Sequence, residues 1–244
     1  MINIPINSER LWASLMEMAK IGATKKGGNC RLALDDADKQ GRDLFVEWCK
    51  NAGCSITVDG VGNIFARREG GNDKEAPVMM GSHLDTQPTG GRFDGVLGVL
   101  AGLEVIRTFN DHNIQTRLPL EVVSWTNEEG SRYAPAMMGS GVFIGVFDLD
   151  EIKTKTDLNG LYFGKELERI GYAGKERPGS RQVGAYFELH IEQGPILEAE
   201  DKTIGIVTDA QGQRWYEINI KGQESHAGPT PMPRRLDALL TASK

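Results

Sequence analysis

The segment Val78-Met79-Met80-Gly81-Ser82-His83-Leu84-Asp85-Thr86 constrains this chain more than any other. It reads as a short strand, and strand side chains repeat every two residues, so His83 and Asp85 share a face. A loop containing Pro88, Gly90 and Gly91 follows, then Asp94-Gly95 and an apolar run. Residues 95–109 read as a helix, whose Gly98, Ala101 and Gly102 allow close packing on a sheet. An imidazole and carboxylates on a strand-to-helix loop are ligand chemistry for zinc and related divalent metals. A buried histidine with two loop-capping aspartates also fits this segment.

Two further strand ends carry similar chemistry. Val122-Val123-Ser124-Trp125-Thr126-Asn127 reads as a buried strand that runs into Glu128-Glu129-Gly130. Adjacent carboxylates repel, so the pair calls for a cation or a proton. Neighbouring residues point apart, so one Glu can bind a metal while the other addresses its water. A solvated acidic turn is the plainer alternative. Ala185 to Pro195 is another strand pattern, carrying His190 and ended by Gly194-Pro195.

The surrounding pattern is α/β. Residues 8–20 read as an amphipathic helix with Asn7 or Ser8 as N-cap and an apolar stripe of Leu11, Trp12, Leu15, Met16 and Ala19. Residues 36–52 form a second helix with Leu44, Phe45 and Trp48 inward, closed by Gly53. Residues 55–68 hold two strands around an Asp59-Gly60 turn, and 119–124 hold another. Residues 154–181 read as helix and loop. Strands alternating with helices imply a sheet with helices on both faces, and sites in such sheets form at the carboxyl ends of strands. His83, Asp94, Glu128, Glu129 and His190 all fall there. Residues 202–208 and 211–221 read as strands, the latter with Trp215, Glu217, Asn219 and Lys221 on one face and Tyr216, Ile218 and Ile220 on the other.

Composition narrows the function classes. The 244 residues are 39% hydrophobic and 25% charged, ordinary for a soluble globular protein. A net charge of -6 argues against a nucleic-acid partner. The three cysteines, Cys30, Cys49 and Cys54, cannot all pair internally and show no CxxC spacing, which points to a reduced, cytoplasmic compartment. Met1 to Pro5 lacks the basic and apolar regions of a signal peptide. No apolar run reaches the ~18 residues of a spanning helix, so no membrane partner is expected.

Five motifs now stand in order: Gly81-Ser82-His83-Leu84-Asp85-Thr86, Gly91-Arg92-Phe93-Asp94-Gly95, Asn127-Glu128-Glu129-Gly130, His190-Ile191-Glu192-Gln193-Gly194-Pro195 and Ser225-His226-Ala227-Gly228-Pro229-Thr230-Pro231-Met232. Together they closely resemble the M20 metallopeptidase-like amidohydrolases. The nearest branch holds the N-carbamoyl-L-amino acid hydrolases, the β-ureidopropionases of yeast and bacterial type, and the allantoate amidohydrolases. The resemblance extends from about residue 7 to Lys244. It implies a zinc-peptidase-like catalytic domain with a mixed sheet flanked by helices, over residues 1–210, and the start of a smaller α+β lid and dimerisation domain over 211–244.

The resemblance also implies roles. Two divalent metal ions, zinc or else manganese, cobalt or nickel, would be bridged by Asp94. His83 and His190 would complete one ion's protein ligands, and Glu129 would serve the other. Asp85 would orient His83, and Glu128 would act as general base. His226 would reach a partner subunit's site in a homodimer, and Gln193 and Gln211 would bind a small ureido substrate. In this family a last metal-binding His follows the lid domain. No match to it precedes Lys244, so the sequence reads as a fragment or a degenerate product, inactive alone. His190, where peptidase relatives commonly use a carboxylate, points to the carbamoylase and allantoate branch. Residues 92–99 look more like the carbamoyl-amino acid and ureidopropionate enzymes. Allantoate amidohydrolase is the alternative, as is a non-catalytic metal-binding remnant.

Overall fold

A computed structural model describes residues 4–212, 214 and 216–244. Readings that involve Met1 to Asn3, Gln213 or Trp215 lie outside the described residues. Contacts divide the chain into two compact units, Met1–Gln193 and Gly194–Lys244.

The first unit begins with two capped helices. In α1 (Ser8–Met18) the Asn7 side chain accepts from the Arg10 N–H, and Ser14, Leu15 and Met18 are buried. In α2 (Asp36–Asn51) Asp35 accepts from Asp38 N–H, and Phe45 and Cys49 face the core, with Leu44 and Trp48 half-buried. Each cap satisfies a backbone donor that a helix start leaves bare, worth about 1 kcal/mol.

The sheet has five strands: β1 (Ser55–Val58), β2 (Ile64–Arg68), β3 (Val78–His83), β4 (Leu120–Trp125) and β5 (Ala185–Phe187). Their order across the sheet is β1-β2-β4-β3-β5. The hairpin of β1 and β2 turns over residues 59–63, where the Asp59 carboxylate accepts the N–H groups of Val61 and Asn63. β2 lies antiparallel to β4, whereas β3 lies parallel to both β4 and β5. The sheet is therefore mixed, and its parallel half sends three chain ends out at one edge.

Helix α3 (Val96–Asp111) crosses from β3 to β4 and packs on the sheet. A Cβ on Gly98 would lie 2.8 Å from Ser82 Cβ and 2.6 Å from the Leu189 carbonyl, so only glycine permits this approach. The main core gathers on the face of α1, α2 and α3, around Phe45, Ile64, Val99, Leu103 and Val122. Helices α4 (Met138–Phe143), α5 (Leu149–Lys153) and α6 (Phe163–Arg169) complete the unit. The opposite sheet face carries a smaller cluster of Phe65, Met79, Val123 and Trp125, with Phe143 against it. An apolar cavity of about 460 Å³ opens there, between Trp125, Met137, Phe143 and Tyr186, with Glu128 at its edge. Helices thus cover the two faces unequally. No helix among the described residues is long and apolar enough to cross a membrane.

In the second unit, α7 (Ile196–Ala199), a 3-10 turn (Met232–Arg234) and α8 (Ala238–Ala242) are the regular elements. The strands expected over 202–208 and 211–221 do not form among the described residues. Alternating apolar residues provide a strand's faces, but a strand also needs a neighbour to complete its hydrogen bonds. Among the described residues the unit provides no such ladder. Arg234 ends the 3-10 turn, and Asp237 caps α8 by accepting from Leu240 N–H.

A buried ion pair ties α2 to the sheet loops. Arg42 Nε donates to Asp38 Oδ2 at 2.8 Å, Nη1 to the Gly62 carbonyl at 2.8 Å and Nη2 to Thr126 Oγ1 at 3.2 Å. Replacing Arg42 with Met strands the Asp38 carboxylate in the core. We expect a loss of about 3–5 kcal/mol, read from urea unfolding. A loss below ~1 kcal/mol, the range of exposed pairs, would show that water reaches the pair.

Candidate metal centre

Three chain segments converge at the carboxyl ends of β3, β4 and β5. β3 ends in His83, whose side chain is only 2% exposed. The chain turns through 84–93 and delivers Asp94 just before α3. Gly95 takes φ +67°, and a Cβ there would lie 2.4 Å from the His83 ring. That close approach lets the imidazole pack on the start of α3. Beyond β4, Asn127 adopts a left-handed φ of +52°, a conformation Asn tolerates better than most residues. Its amide donates to the Tyr133 carbonyl at 2.8 Å and fixes the turn. Glu128 and Glu129 then present their backbone N–H groups to Asp85.

Asp85 has two separate uses. Its carboxylate accepts both N–H groups, Glu128 at Oδ1 and Glu129 at Oδ2, each at 3.2 Å. Its main-chain carbonyl lies 2.8 Å from His83 Nδ1, whereas the carboxylate is 4.0 Å from that nitrogen. So the bond that orients His83 comes from the Asp85 backbone rather than from its carboxylate.

A carbonyl can only accept, so His83 Nδ1 carries a proton, and in the neutral ring Nε2 is left with the lone pair. His190 repeats the arrangement, with Nδ1 2.9 Å from the Ile191 carbonyl. Both free Nε2 atoms face Asp94 Oδ1, His190 at 3.3 Å and His83 at 4.0 Å, and Glu128 Oε2 stands 3.5 Å from His83 Nε2. Asp94 Oδ1 is buried and has no hydrogen-bond partner among the described residues. In a neutral ring with its proton on Nδ1, the nearby His190 Nε2 would offer it a lone pair. Lone pairs and carboxylate oxygens crowded this way need a cation or a proton among them. The ligand atoms of His83, Asp94 and His190 all lie within 4.8 Å of one another. Atoms bound tetrahedrally at zinc's usual distances stand about 3.3 Å apart, so the Asp94–His190 spacing already matches and the other contacts are looser. These residues fit a divalent metal.

Electrostatics separate the carboxyls. Burial pushes the Glu128 carboxyl above its ordinary pKa, although His83 pulls the other way. Asp85 is likewise raised by burial, opposed by His83 and by its two backbone N–H bonds. Burial lowers the His83 imidazole, but Asp85 and Glu128 outweigh it and hold its pKa above the ordinary value.

The other expected site residues are placed as follows. Glu129 Oε2 accepts from the Gln87 amide at 3.0 Å, and its Oε1 is buried without a hydrogen-bond partner among the described residues. Glu129 stands outside the triad. Gln193 donates to Asp94 Oδ2 at 2.6 Å, so its amide engages the cluster itself. Gln211 and His226 belong to the second unit and are exposed there; His226 Nδ1 accepts from Gly228 N–H at 3.0 Å. Gln87, Gly95 and Asn127 were not among the expected site residues. A glycine after the loop aspartate and an asparagine before the paired glutamates were the available signals.

Comparison with known proteins agrees with this geometry. Residues 79–243 match peptidase family M20/M25/M40. The chain belongs to that family. Within it, an N-carbamoyl-L-amino-acid amidohydrolase of Rhizobium meliloti is 55% identical over 99% of this chain and 58% of its own length. An allantoate amidohydrolase of Bacillus subtilis is 34% identical over 93% of this chain and 56% of its own length. A crystal structure of a hydantoinase/carbamoylase-family amidase from Burkholderia multivorans superposes with a TM-score of 0.88 at 68% identity, covering 98% of this chain and 58% of that one. The chain thus spans somewhat over half the length of these M20/M25/M40 relatives.

The Gly95 contact yields a direct test. Gly95→Ala puts a methyl group into the His83 ring and strains a positive-φ position. We expect zinc affinity to fall about tenfold or more, by competition with a chromophoric chelator, with the fold retained by circular dichroism. Unchanged affinity would mean that His83 is not a ligand.

Proposed function

We propose that this chain carries the metal-binding half of an amidohydrolase that cleaves the C–N bond of a carbamoyl group in N-carbamoyl amino acids or N-carbamoyl-β-alanine. One observation supports this most. Two imidazole Nε2 atoms face one buried carboxylate oxygen that has no hydrogen-bond partner among the described residues, beside a glutamate whose proton affinity burial has raised. That is the chemistry of metal-assisted hydrolysis rather than of a structural ion pair. The name of the R. meliloti relative supports the carbamoyl substrate.

His83, Asp94 and His190 would hold one ion, and Asp94 with Glu129 would contribute to a second, zinc or another divalent metal. A bound divalent ion would polarise the substrate carbonyl and lower the pKa of water. Glu128 takes the proton from the attacking water and passes it to the nitrogen as the C–N bond breaks. Its raised pKa suits both halves of that transfer. Asp85 keeps Glu128 in place through the Glu128 backbone N–H and fixes the tautomer of His83 through its own carbonyl. Gln193 steadies Asp94, and His226 and Gln211 would contact substrate. Residues 1–210 would form the catalytic domain and 211–244 the start of a lid. The whole protein would work as a cytoplasmic homodimer on a small ureido substrate.

Two variants separate the roles. In the whole protein, Glu128→Gln should bind zinc like the parent but lose about 10²–10⁴-fold in turnover, followed as ammonia release from N-carbamoyl-L-amino acids, N-carbamoyl-β-alanine and allantoate. His190→Ala should lose the metal itself. If Glu128→Gln also lost the metal, Glu128 would be a ligand and not the base. Preferential turnover of allantoate would move the substrate to the neighbouring branch.

A further inference from the structure

The backbone ladder between β3 and β5 pairs Val78 with Ala185, Met79 with Tyr186 and Met80 with Phe187, and stops there. Carried forward, the same register sets His83 opposite His190. The two rings do lie together, with centroids 6.1 Å apart. Beyond Phe187 the chain to His190 is no longer strand, so the ladder does not hold this arrangement.

Side chains take over where the ladder ends. Ser82, wholly buried, donates its hydroxyl to Glu188 Oε1 at 2.5 Å. The Tyr186 hydroxyl receives the Trp125 indole N–H at 3.0 Å. Its own single proton has two acceptors in reach, Glu188 Oε2 at 2.9 Å and the Gly81 carbonyl at 3.2 Å. Glu188 is therefore gripped from β3 by Ser82 and from β5 by Tyr186, while Trp125 anchors Tyr186 to β4. Hydrogen bonds to a carboxylate are the strong kind and hold geometry well.

Resting on the metal reading above, we infer that Glu188 is a positioning residue for the metal centre. Its bond to Ser82 continues the β3–β5 register and brings His190 up to Asp94 and His83. Glu188 touches none of the three ligands' side chains in this role. It acts through the two residues of backbone between itself and His190.

The test uses the 244-residue chain and zinc alone, titrated against a chromophoric chelator, with the cobalt absorption spectrum as a second reading of coordination. Glu188→Ala should bind zinc about tenfold more weakly and alter the cobalt spectrum. Ser82→Ala should do the same, and the double variant should lose no more than the worse single one, because the pair acts as one unit. Glu188→Gln keeps an acceptor for Ser82 and should restore binding close to the parent. Thermal melts check folding; if Glu188→Ala unfolds early, the contrast between Ser82→Ala and Glu188→Gln decides. Parent-like affinity in Ser82→Ala and Glu188→Ala, with binding lost in His190→Ala, overturns the positioning role and leaves the metal reading standing. Parent-like affinity in His190→Ala as well overturns the metal reading, and this inference with it.

Discussion

The parallel pairing of β3 with β4 and β5 is the constraint on which the rest depends. Parallel strands deliver their chain ends on the same side, so one edge of the sheet receives His83, the Glu128-Glu129 turn and His190 together. Strand β2 runs antiparallel to β4, so the hairpin widens the sheet and brings its 59–63 turn to the same edge, where Asn63 Oδ1 accepts the Thr126 N–H. Asp94 arrives there because the crossover helix must start where β3 ends. Neither glycine of α3's approach is incidental. Gly98 admits the helix to the sheet, and Gly95 admits His83 to the helix start.

Much of this arrangement was legible in the sequence. The capped helices α1 and α2, the hairpin and the buried strands β3 and β4 each carry a local signal: a capping residue, a turn or a run of apolar residues. The convergence of His83, Asp94 and His190 also followed from strand-end logic, without a contact in view. What escaped were the partners. A strand pattern puts His83 and Asp85 on one face, but says nothing about whether the carbonyl or the carboxylate of Asp85 reaches the ring. The Gln193 bond to Asp94 depends on a turn at positive φ that no periodicity reports. The strands read over 202–208 and 211–221 failed for a different reason. Their alternation was real, but a strand is a property of two segments, and local sequence specifies only one.

The carboxylates show how one edge can separate chemical tasks among like groups. Asp85 is sealed beneath the turn and accepts two backbone N–H bonds, so it serves geometry. Glu128 follows directly from that turn but reaches His83 with less support, and burial raises its proton affinity. Asp94 is held at one oxygen by Gln193 and left bare at the other. Similar functional groups thus differ because their unmet bonding capacity differs.

The bare oxygens, Asp94 Oδ1 and Glu129 Oε1, have a thermodynamic consequence. A buried acceptor without a partner typically costs about 1–3 kcal/mol. Part of that cost falls at the edge that carries the chemistry. Whatever fills it stabilises the folded state by mass action, in proportion to the logarithm of its free concentration over its dissociation constant. Resistance to heat and to proteases would then track the cell's supply of the occupant, so the same oxygens that await a ligand also make the protein's lifetime a gauge of it.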